Sequence, residues 1–367
     1  MSEWREVALS DLLTFGNGKR KPSTSGNIPI YGGNGVLGFS NDSNYQDETI
    51  VIGRVGAYCG SVYYETKPIW VSDNALSAKP KSDNNLKFLY YFLKQVELNQ
   101  YAGGSSHPLV TQTLLNSLEF DVCTNPSEQK AIAEVLSSLD DKIDLLHRQN
   151  KTLQQMAETL FRQWFMEEAQ EDWEDVTISQ FVSLNPKSIT KEYSISNIEY
   201  LDTGSLTEGH FGEFQSYQLD VAPSRAKRLV QHNDILISTV RPNQKHYGIV
   251  KEPIENLVVS TGFCVVTCIT IDPHFIYLLL TNDEMTEYLH SIAEGSTSTY
   301  PSLKPVDIGA IEFKLPPEYL LSGFSEVANS AWEKIQKNYK QVRILESLRD
   351  TLLPKLMSGD VRIASHG

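Results

Sequence analysis

The chain has 367 residues, 40% hydrophobic and 21% charged, which is apolar material for two or three packed domains and too much for a disordered tail or a fibre. Its formal charge of −14 excludes a uniformly basic nucleic-acid binder. No apolar run approaches the roughly 18 residues of a membrane span, and Met1-Ser-Glu-Trp-Arg-Glu carries no signal-peptide pattern, so a cytoplasmic protein is expected.

The first segment opens on Trp4-Arg-Glu-Val-Ala-Leu-Ser and carries a basic knot, Lys19-Arg20-Lys21, in a Gly/Asn/Ser/Pro-rich loop. Lysines on such a loop reach phosphates without dragging a core element along. The Tyr31-Gly-Gly-Asn34-Gly35 turn follows, flanked by Arg54 and Tyr58. Gly33, Gly35 and Gly38 fit the dinucleotide-loop spacing. A loop sequence stands where the helix of that motif must open, so nucleotide binding is rejected. Thr49-Ile-Val-Ile-Gly-Arg-Val reads as a strand, Leu86–Leu98 as a helix, and Ser105-Ser106-His107 as a polar loop. Asn125-Pro126 breaks the pattern and closes the segment.

A long helix is expected next. Ile132, Leu136, Leu139, Ile143, Leu146, Asn150, Leu153, Ala157, Leu160 and Trp164 follow one another in alternating steps of four and three, a heptad seam with one polar member. After the acidic stretch 171–175 the chain starts over. Trp173-Glu-Asp-Val-Thr-Ile-Ser repeats the opening pattern, and Val259-Ser-Thr-Gly-Phe echoes Val71-Ser-Asp-Asn-Ala. Phe275-Ile-Tyr-Leu-Leu-Leu likewise echoes Phe88-Leu-Tyr-Tyr-Phe-Leu. The matches keep their order while the offset grows, so two diverged copies of one module are expected, with insertions in the second. Within that copy Arg225, Lys227, Arg228, Arg241 and Lys245 cluster in an otherwise acidic region. Arg241, Asn243, Gln244, Lys245 and His246 form one run of donors suited to base edges: Arg towards guanine, Asn or Gln towards adenine. Ser296, Thr297 and Tyr300 stand where Ser105-Ser106-His107 stands in the first copy. Asp234-Ile-Leu-Ile-Ser-Thr-Val reads as a strand, Pro273–Ala293 as one helix, and Pro316-Pro317 as the closing break.

The second long helix carries Phe324, Ala328, Ala331, Ile335, Asn338, Val342, Leu345, Arg349, Leu352 and Leu356 at the same spacing. Laid antiparallel, the two seams put Ile132 on Leu356 and Asn150 on Asn338, an amide pair that fixes register. Arg349 then faces Leu139, where it is expected to turn outward. The expected fold class is α+β: two pseudo-repeated globular domains, 1–126 and 170–318, separated by two long antiparallel coiled-coil helices, 127–169 and 319–359, with a short tail to 367.

No P-loop, methyl-donor glycine loop, paired metal-ligand histidines or convergent acid–base constellation occurs, so a non-catalytic chain is expected. Cys264 and Cys268 lack partners at ligand spacing and read as a buried thiol pair, with no metal. Taken together, the two openings, the Tyr31 loop, the Gly104-Ser-Ser and Gly295-Ser-Thr loops, and helix ends Leu-Phe-Arg-Gln-Trp-Phe165 and Leu-Leu-Pro-Lys-Leu-Met-Ser-Gly359 resemble the specificity (S) subunit of type I restriction-modification systems. The resemblance covers essentially the whole chain, except that the second copy lacks a Tyr-Gly-Gly-Asn-Gly counterpart. It implies two target-recognition domains, each reading half of a bipartite site on double-stranded DNA. The helix pair would set the spacer and dock two methyltransferase (M) subunits. S-adenosylmethionine, ATP and Mg would sit on partner subunits, including the restriction/translocase (R) subunits, and not on this chain. The rival expectation is a two-lobed scaffold that binds protein or carbohydrate; exposed aromatic platforms without basic loops would mark it.

Overall fold

The computed structural model describes residues 4–104, 108–190, 193–295 and 302–363. These form two compact units, residues 1–146 with 340–367 and residues 147–339. Each long helix therefore contributes to both units, whereas the sequence boundaries fall where one kind of element gives way to another.

In the first unit the chain runs β1 (Trp4–Ala8), α1 (Leu9–Leu12), β2 (Leu13–Asn17), β3 (Ile28–Gly32), β4 (Gly35–Ser40), β5 (Thr49–Gly53), β6 (Val62–Glu65), β7 (Trp70–Val71), β8 (Ala75–Pro80), α2 (Leu86–Val96), α3 (Gln112–Ser117), β9 (Glu119–Cys123) and the long α4 (Pro126–Arg162). Strands β2-β8-β5-β6 form an antiparallel sheet, and β4-β3-β7 form a second sheet in which β3 and β7 run parallel. β1 pairs antiparallel with β9 and ties the ends of the module together. β5 is buried along its whole length, which is why its sequence is β-branched and without polar alternation. The Asn85 side chain caps α2 by accepting from the Phe88 amide (2.9 Å). α2 then buries Leu86, Phe88, Leu89, Phe92 and Leu93, each worth about 2–3 kcal/mol relative to exposure.

The second unit contains β10 (Asp175–Thr177), β11 (Val182–Leu184), β12 (Asn197–Leu201), β13 (Leu206–Thr207), β14 (His210–Phe211), β15 (Gln215–Gln218), β16 (Ala226–Leu229), β17 (Ile235–Ser238), β18 (Tyr247–Ile249), β19 (Leu257–Ser260), β20 (Phe263–Cys268), α5 (Pro273–Thr281), α6 (Asp283–Glu294), α7 (Pro305–Gly309), β21 (Glu312–Lys314) and the start of α8 (Glu318–Met357). Its sheet β11-β20-β17-β18 repeats β2-β8-β5-β6 strand for strand, and β10 pairs with β21 as β1 does with β9. β15-β12-β19 repeats β4-β3-β7, again with the inner pair parallel, and gains β16 on its far edge. The insertions that make the repeat offset grow are thus the β13–β14 hairpin and β16. That hairpin also lies between β12 and β15, where the first unit has its Gly-Gly-Asn-Gly turn, so no counterpart to that turn survives.

One expected element divides. Pro273–Ala293 is two helices, because Asn282 takes an extended backbone (ψ 158°) and its side chain accepts from the Met285 amide at 2.9 Å, capping α6. Asn is a strong N-cap residue, and here it starts a new helix inside an apolar run.

The seams of α4 and α8 meet within each unit with the register read from the sequence. In the first unit Ile143 and Leu146 pack with Val342 and Leu345, and Ile132 and Leu356 share one core. In the second, Asn338 Nδ2 donates to Asn150 Oδ1 (2.8 Å) with both residues buried. Arg349 turns to the edge of its layer, where Nη1 donates to Asp140 Oδ1 (3.0 Å). Asp140 Oδ2 also accepts from the Tyr91 hydroxyl (2.6 Å), tying α2 to the helix pair. The seam changes phase at the end of α4. Phe161 and Phe165 are buried where Leu160 and Trp164 were expected, and residues Gln163–Glu167 form a π-turn. Those rings serve the globular core, with Phe165 meeting Phe275 (5.0 Å) and Phe324 (5.3 Å) edge-on; a 3.6-residue helix drifts off a 3.5-residue seam, and the π-turn adds to the rotation.

Cys264 is fully buried and Cys268 half-buried on β20, and burial pushes both thiols up to about 12. Among the described residues no group of three or more His, Cys, Asp or Glu is placed to hold a metal ion, and no helix is long and apolar enough to cross a membrane.

Candidate nucleic-acid interface

The basic loops of the first unit converge on the turn between β7 and β8. On one side of that turn the Lys19 amide donates to Val71 O (3.0 Å); on the other the Arg54 amide donates to Asn74 O (3.0 Å). Arg54 O in turn accepts from the Val110 amide (2.9 Å), and Val55 bridges to Leu109. The β3–β4 turn closes over this loop. A Cβ added to Gly53 would lie 2.6 Å from Gly33 O and 2.5 Å from Tyr58 O, so only glycine admits so close an approach. Three loops and residues Leu109 and Val110 are thereby fastened together, backbone to backbone.

From this cluster Lys19, Arg20, Lys21, Asn34 and Tyr58 project as exposed side chains. Arg54 is half-buried, and its Nε–H is shielded from solvent with no partner among the described residues. Tyr31 does not project. It is 7% exposed, its hydroxyl donates to Glu65, and its ring lies 5.7 Å from that of Tyr63. Burial, reinforced by the Glu65 carboxylate, pushes its hydroxyl well above the ordinary tyrosine range. Tyr31 props the turn from beneath, which corrects its expected place among the contacting residues.

The second unit builds a like arrangement, with two of the same hydrogen bonds. The Thr239 amide donates to Gly262 O (2.8 Å) in the β19–β20 turn, as Arg54 does to Asn74; the Leu303 amide donates to Thr239 O (2.7 Å), as Val110 does to Arg54. Val240 bridges to Ser302 as Val55 does to Leu109. Arg225 O accepts from the Thr261 amide of the same turn (2.8 Å), so a basic residue again lies on one side and the long loop on the other. Arg241, Asn243 and Gln244 are exposed around the 3₁₀ turn Pro242–Gln244, whose flanking residues Arg241 and Lys245 adopt left-handed φ of 49° and 54°. Lys227 is exposed on β16, whereas Arg228 is half-buried with Nη1 on Ser188 Oγ (3.1 Å).

Lys245 and His246, both in the expected donor run, are held by contacts within the unit. Lys245 Nζ lies 2.7 Å from Asp283 Oδ1 and 3.5 Å from Glu208 Oε1, and the bond to Asp283 holds its ammonium above the usual lysine range. His246 Nδ1 sits 2.7 Å from Leu206 O and 3.2 Å from Thr207 Oγ1. Both side chains fasten the loop to its own unit, so neither is a spare donor in this conformation. Ser105, Ser106, His107, Ser296, Thr297 and Tyr300 lie outside the described residues.

Sequence reading missed that the two turns 72–74 and 260–262 are the hubs. The signal was present in the echo of Val71-Ser-Asp-Asn-Ala by Val259-Ser-Thr-Gly-Phe. It read as repetition, without any indication that loops would gather there. The cluster can present exposed cations and amides on a braced backbone, the combination required to grip phosphates and reach base edges.

Residues 1–155 match the family model described as the type I restriction modification DNA specificity domain. The chain is 24% identical over 330 residues to the type I restriction enzyme MjaIX specificity subunit of Methanocaldococcus jannaschii, covering 83% of this chain and 76% of that protein. It is 25% identical over 186 residues to the HindI specificity subunit of Haemophilus influenzae, covering 49% of this chain and 40% of that one. A crystal structure of a type I restriction-modification S subunit from M. genitalium has the same fold, with TM-score 0.68, 18% identity and 96% of each chain covered.

Proposed function

We infer that the chain is a non-catalytic specificity subunit of a type I restriction-modification system, as its match over residues 1–155 and its similarity to such subunits support, and that each of its two units reads one half of a bipartite DNA target. The observation that carries this reading is the pair of matching loop clusters, each hung on a single turn and each flanked by basic side chains. Lys19, Arg20 and Lys21 in one unit and Arg225 and Lys227 in the other supply phosphate contacts. Arg54 and Arg241, with Asn243 and Gln244, supply base contacts. Because the two loop sets differ in sequence, the two half-sites differ too.

In this reading α4 and α8 hold the spacer between half-sites and receive two methyltransferase subunits. S-adenosylmethionine, ATP and Mg act on the partner subunits, including the restriction/translocase subunits. The overall charge of −14 fits a chain that borrows phosphate contacts from its neighbours. The isolated chain then binds DNA weakly, with a salt dependence that steepens when methyltransferase is added.

Methylation-site mapping of the assembled system tests this. Arg54→Ala should relax one position in one half-site, and Arg241→Ala one position in the other, each costing about 1–3 kcal/mol of discrimination. Motifs unchanged in both variants would refute the assignment of the two loop clusters to DNA reading.

A further inference from the structure

The tip of the β5–β6 loop is built unlike its counterpart in the second unit. Val55, Gly56, Ala57 and Tyr58 are four consecutive exposed residues with no charged or amide side chain among them. Val55 is 39% exposed and Tyr58 53%. Such a run adds nothing to the core and invites association, so it marks a surface that something covers. In the second unit Val240 takes the bridging place of Val55. Arg241, Pro242, Asn243 and Gln244 follow it, and all but the proline are exposed. Two loops on a like backbone frame thus end in apolar groups in one unit and in hydrogen-bond donors in the other.

The apolar tip is braced and has cations about it. Cys59 is buried beneath it, and its thiol donates to Arg54 O (3.3 Å). The Cys59 amide donates to Gly56 O (3.0 Å), the Gly60 amide to Gly53 O (2.8 Å) and the Ser61 amide to Tyr58 O (3.1 Å). A Cβ added to Gly56 would meet nothing within 4 Å, whereas one added to Gly33 would lie 3.1 Å from Val55 O. The β3–β4 turn therefore supports the base of the loop, and just past it β4 exposes Val36 and Leu37. Arg54 precedes the apolar run, and Lys21 Nζ donates to Leu37 O (3.3 Å). Cations beside an apolar tip suit a polyanion that also carries apolar groups. On base edges in the major groove the alkyl group is the 5-methyl of thymine; the groups that tell the other bases apart donate or accept hydrogen bonds.

We propose that the Val55–Tyr58 tip packs on the 5-methyl group of a thymine in the half-site read by the first unit, and that the second unit reads its half-site without such a contact. The proposal rests on the reading above, in which both loop clusters face DNA. Arg54 selects one base by hydrogen bonding, and the tip selects another by apolar fit. Guanine, adenine or cytosine at the tip's position offers polar edge groups, whose water the tip would strip without replacing it.

The test uses the full chain assembled with its methyltransferase subunits, and synthetic duplexes carrying the motif that methylation mapping yields. Each thymine, on either strand, is replaced in turn by uracil, which loses the methyl and keeps both oxygens, and competition binding is measured at fixed salt. Wild type should lose about fourfold in affinity at one thymine, the worth of one buried methyl group. That thymine should lie in the half-site whose motif Arg54→Ala relaxes, and uracil in the other half-site should change affinity by less than about twofold. Val55→Thr combined with Tyr58→Ser should bind the thymine and uracil duplexes alike; a salt slope equal to that of wild type shows that this variant is folded and keeps its phosphate contacts. A half-site without thymine, thymines all indifferent to uracil, or a sensitivity that survives in the double variant would each overturn the proposal. With any of these, a motif relaxed by Arg54→Ala would leave the DNA reading standing. A double variant that no longer takes up methyltransferase would also overturn the proposal, since protein would then be what covers the tip. Motifs altered by neither Arg54→Ala nor Arg241→Ala would remove the DNA reading and the proposal with it.

Discussion

Asn338 is fully buried and Asn150 nearly so, at 0% and 5% exposure, and the one hydrogen bond between their side chains joins α4 to α8 inside the second unit. Gln149 Oε1 accepts a second, longer bond from Asn338 Nδ2 (3.2 Å). Asn338→Ala removes both bonds and leaves the Asn150 carbonyl buried without a donor, costing about 1–3 kcal/mol, with a void adding roughly 0.5–1 kcal/mol. Asn150→Ala should cost about 1 kcal/mol, less than Asn338→Ala, because Asn338 Nδ2 keeps its bond to Gln149 Oε1. Replacing both by leucine removes the unmet need on both sides, so the double variant should return to within about 1 kcal/mol of wild type or exceed it. That recovery gives up the device that fixes register. Hydrogen exchange resolved to peptides covering 147–160 and 330–345 reads the change in the unit that holds the pair. Single variants within about 0.5 kcal/mol of wild type would refute the reasoning. So would a double leucine variant as unstable as the two singles added together, because the coupling would then be absent.

Other consequences are open to direct measurement. Burial pushes the Lys251 ammonium down to about 8, with Asp272 and Glu333 opposing the shift. Its folded value lies below its unfolded one, so the unfolded chain binds more protons between about pH 8 and 10. Stability should rise through that window by about 1–2 kcal/mol relative to Lys251→Met, as read in parallel denaturant melts; equal pH dependence of the two proteins would contradict it. Arg349→Leu strips Asp140 of its cation while Tyr91 still donates to it; a loss of about 1–2 kcal/mol is expected in thermal melts, and no loss would show the pair to be idle. Changing Lys19, Arg20 and Lys21 to alanine together should weaken DNA binding alike for all sequences and flatten the salt slope by about one for each phosphate no longer gripped, with a changed recognition motif as the contrary result.

The helix pair was legible because heptad spacing is a local signal. The steps of four and three in each seam, together with one asparagine in each, define both partner and register. Legibility ended at the end of α4: Phe161 and Phe165 meet Phe275 of the globular core as well as Phe324 of α8, and no local pattern announces that change of phase. The duplication was readable from ordered echoes, but the elements behind its growing offset, the β13–β14 hairpin and β16, came only with strand pairing. At the candidate interface, sequence reading found the exposed cations and amides and misplaced Tyr31, because an aromatic beside a glycine turn reads alike whether it faces outward or inward. The acidic partners of Lys245 lie far from it in sequence, at Glu208 and Asp283. Sequence clustering therefore suggested a spare donor where folding provides an internal clamp.

Two differently lettered loop clusters are assigned here to two different half-sites. Single-molecule sequencing of genomic methylation, with the partner subunits expressed alongside this chain or without it, tests that assignment most directly. Presence of the chain should produce methylation at one asymmetric motif of two defined halves around an unread gap, and its removal should abolish that motif. Methylation that is indifferent to the chain, or a single unbroken motif, would contradict it.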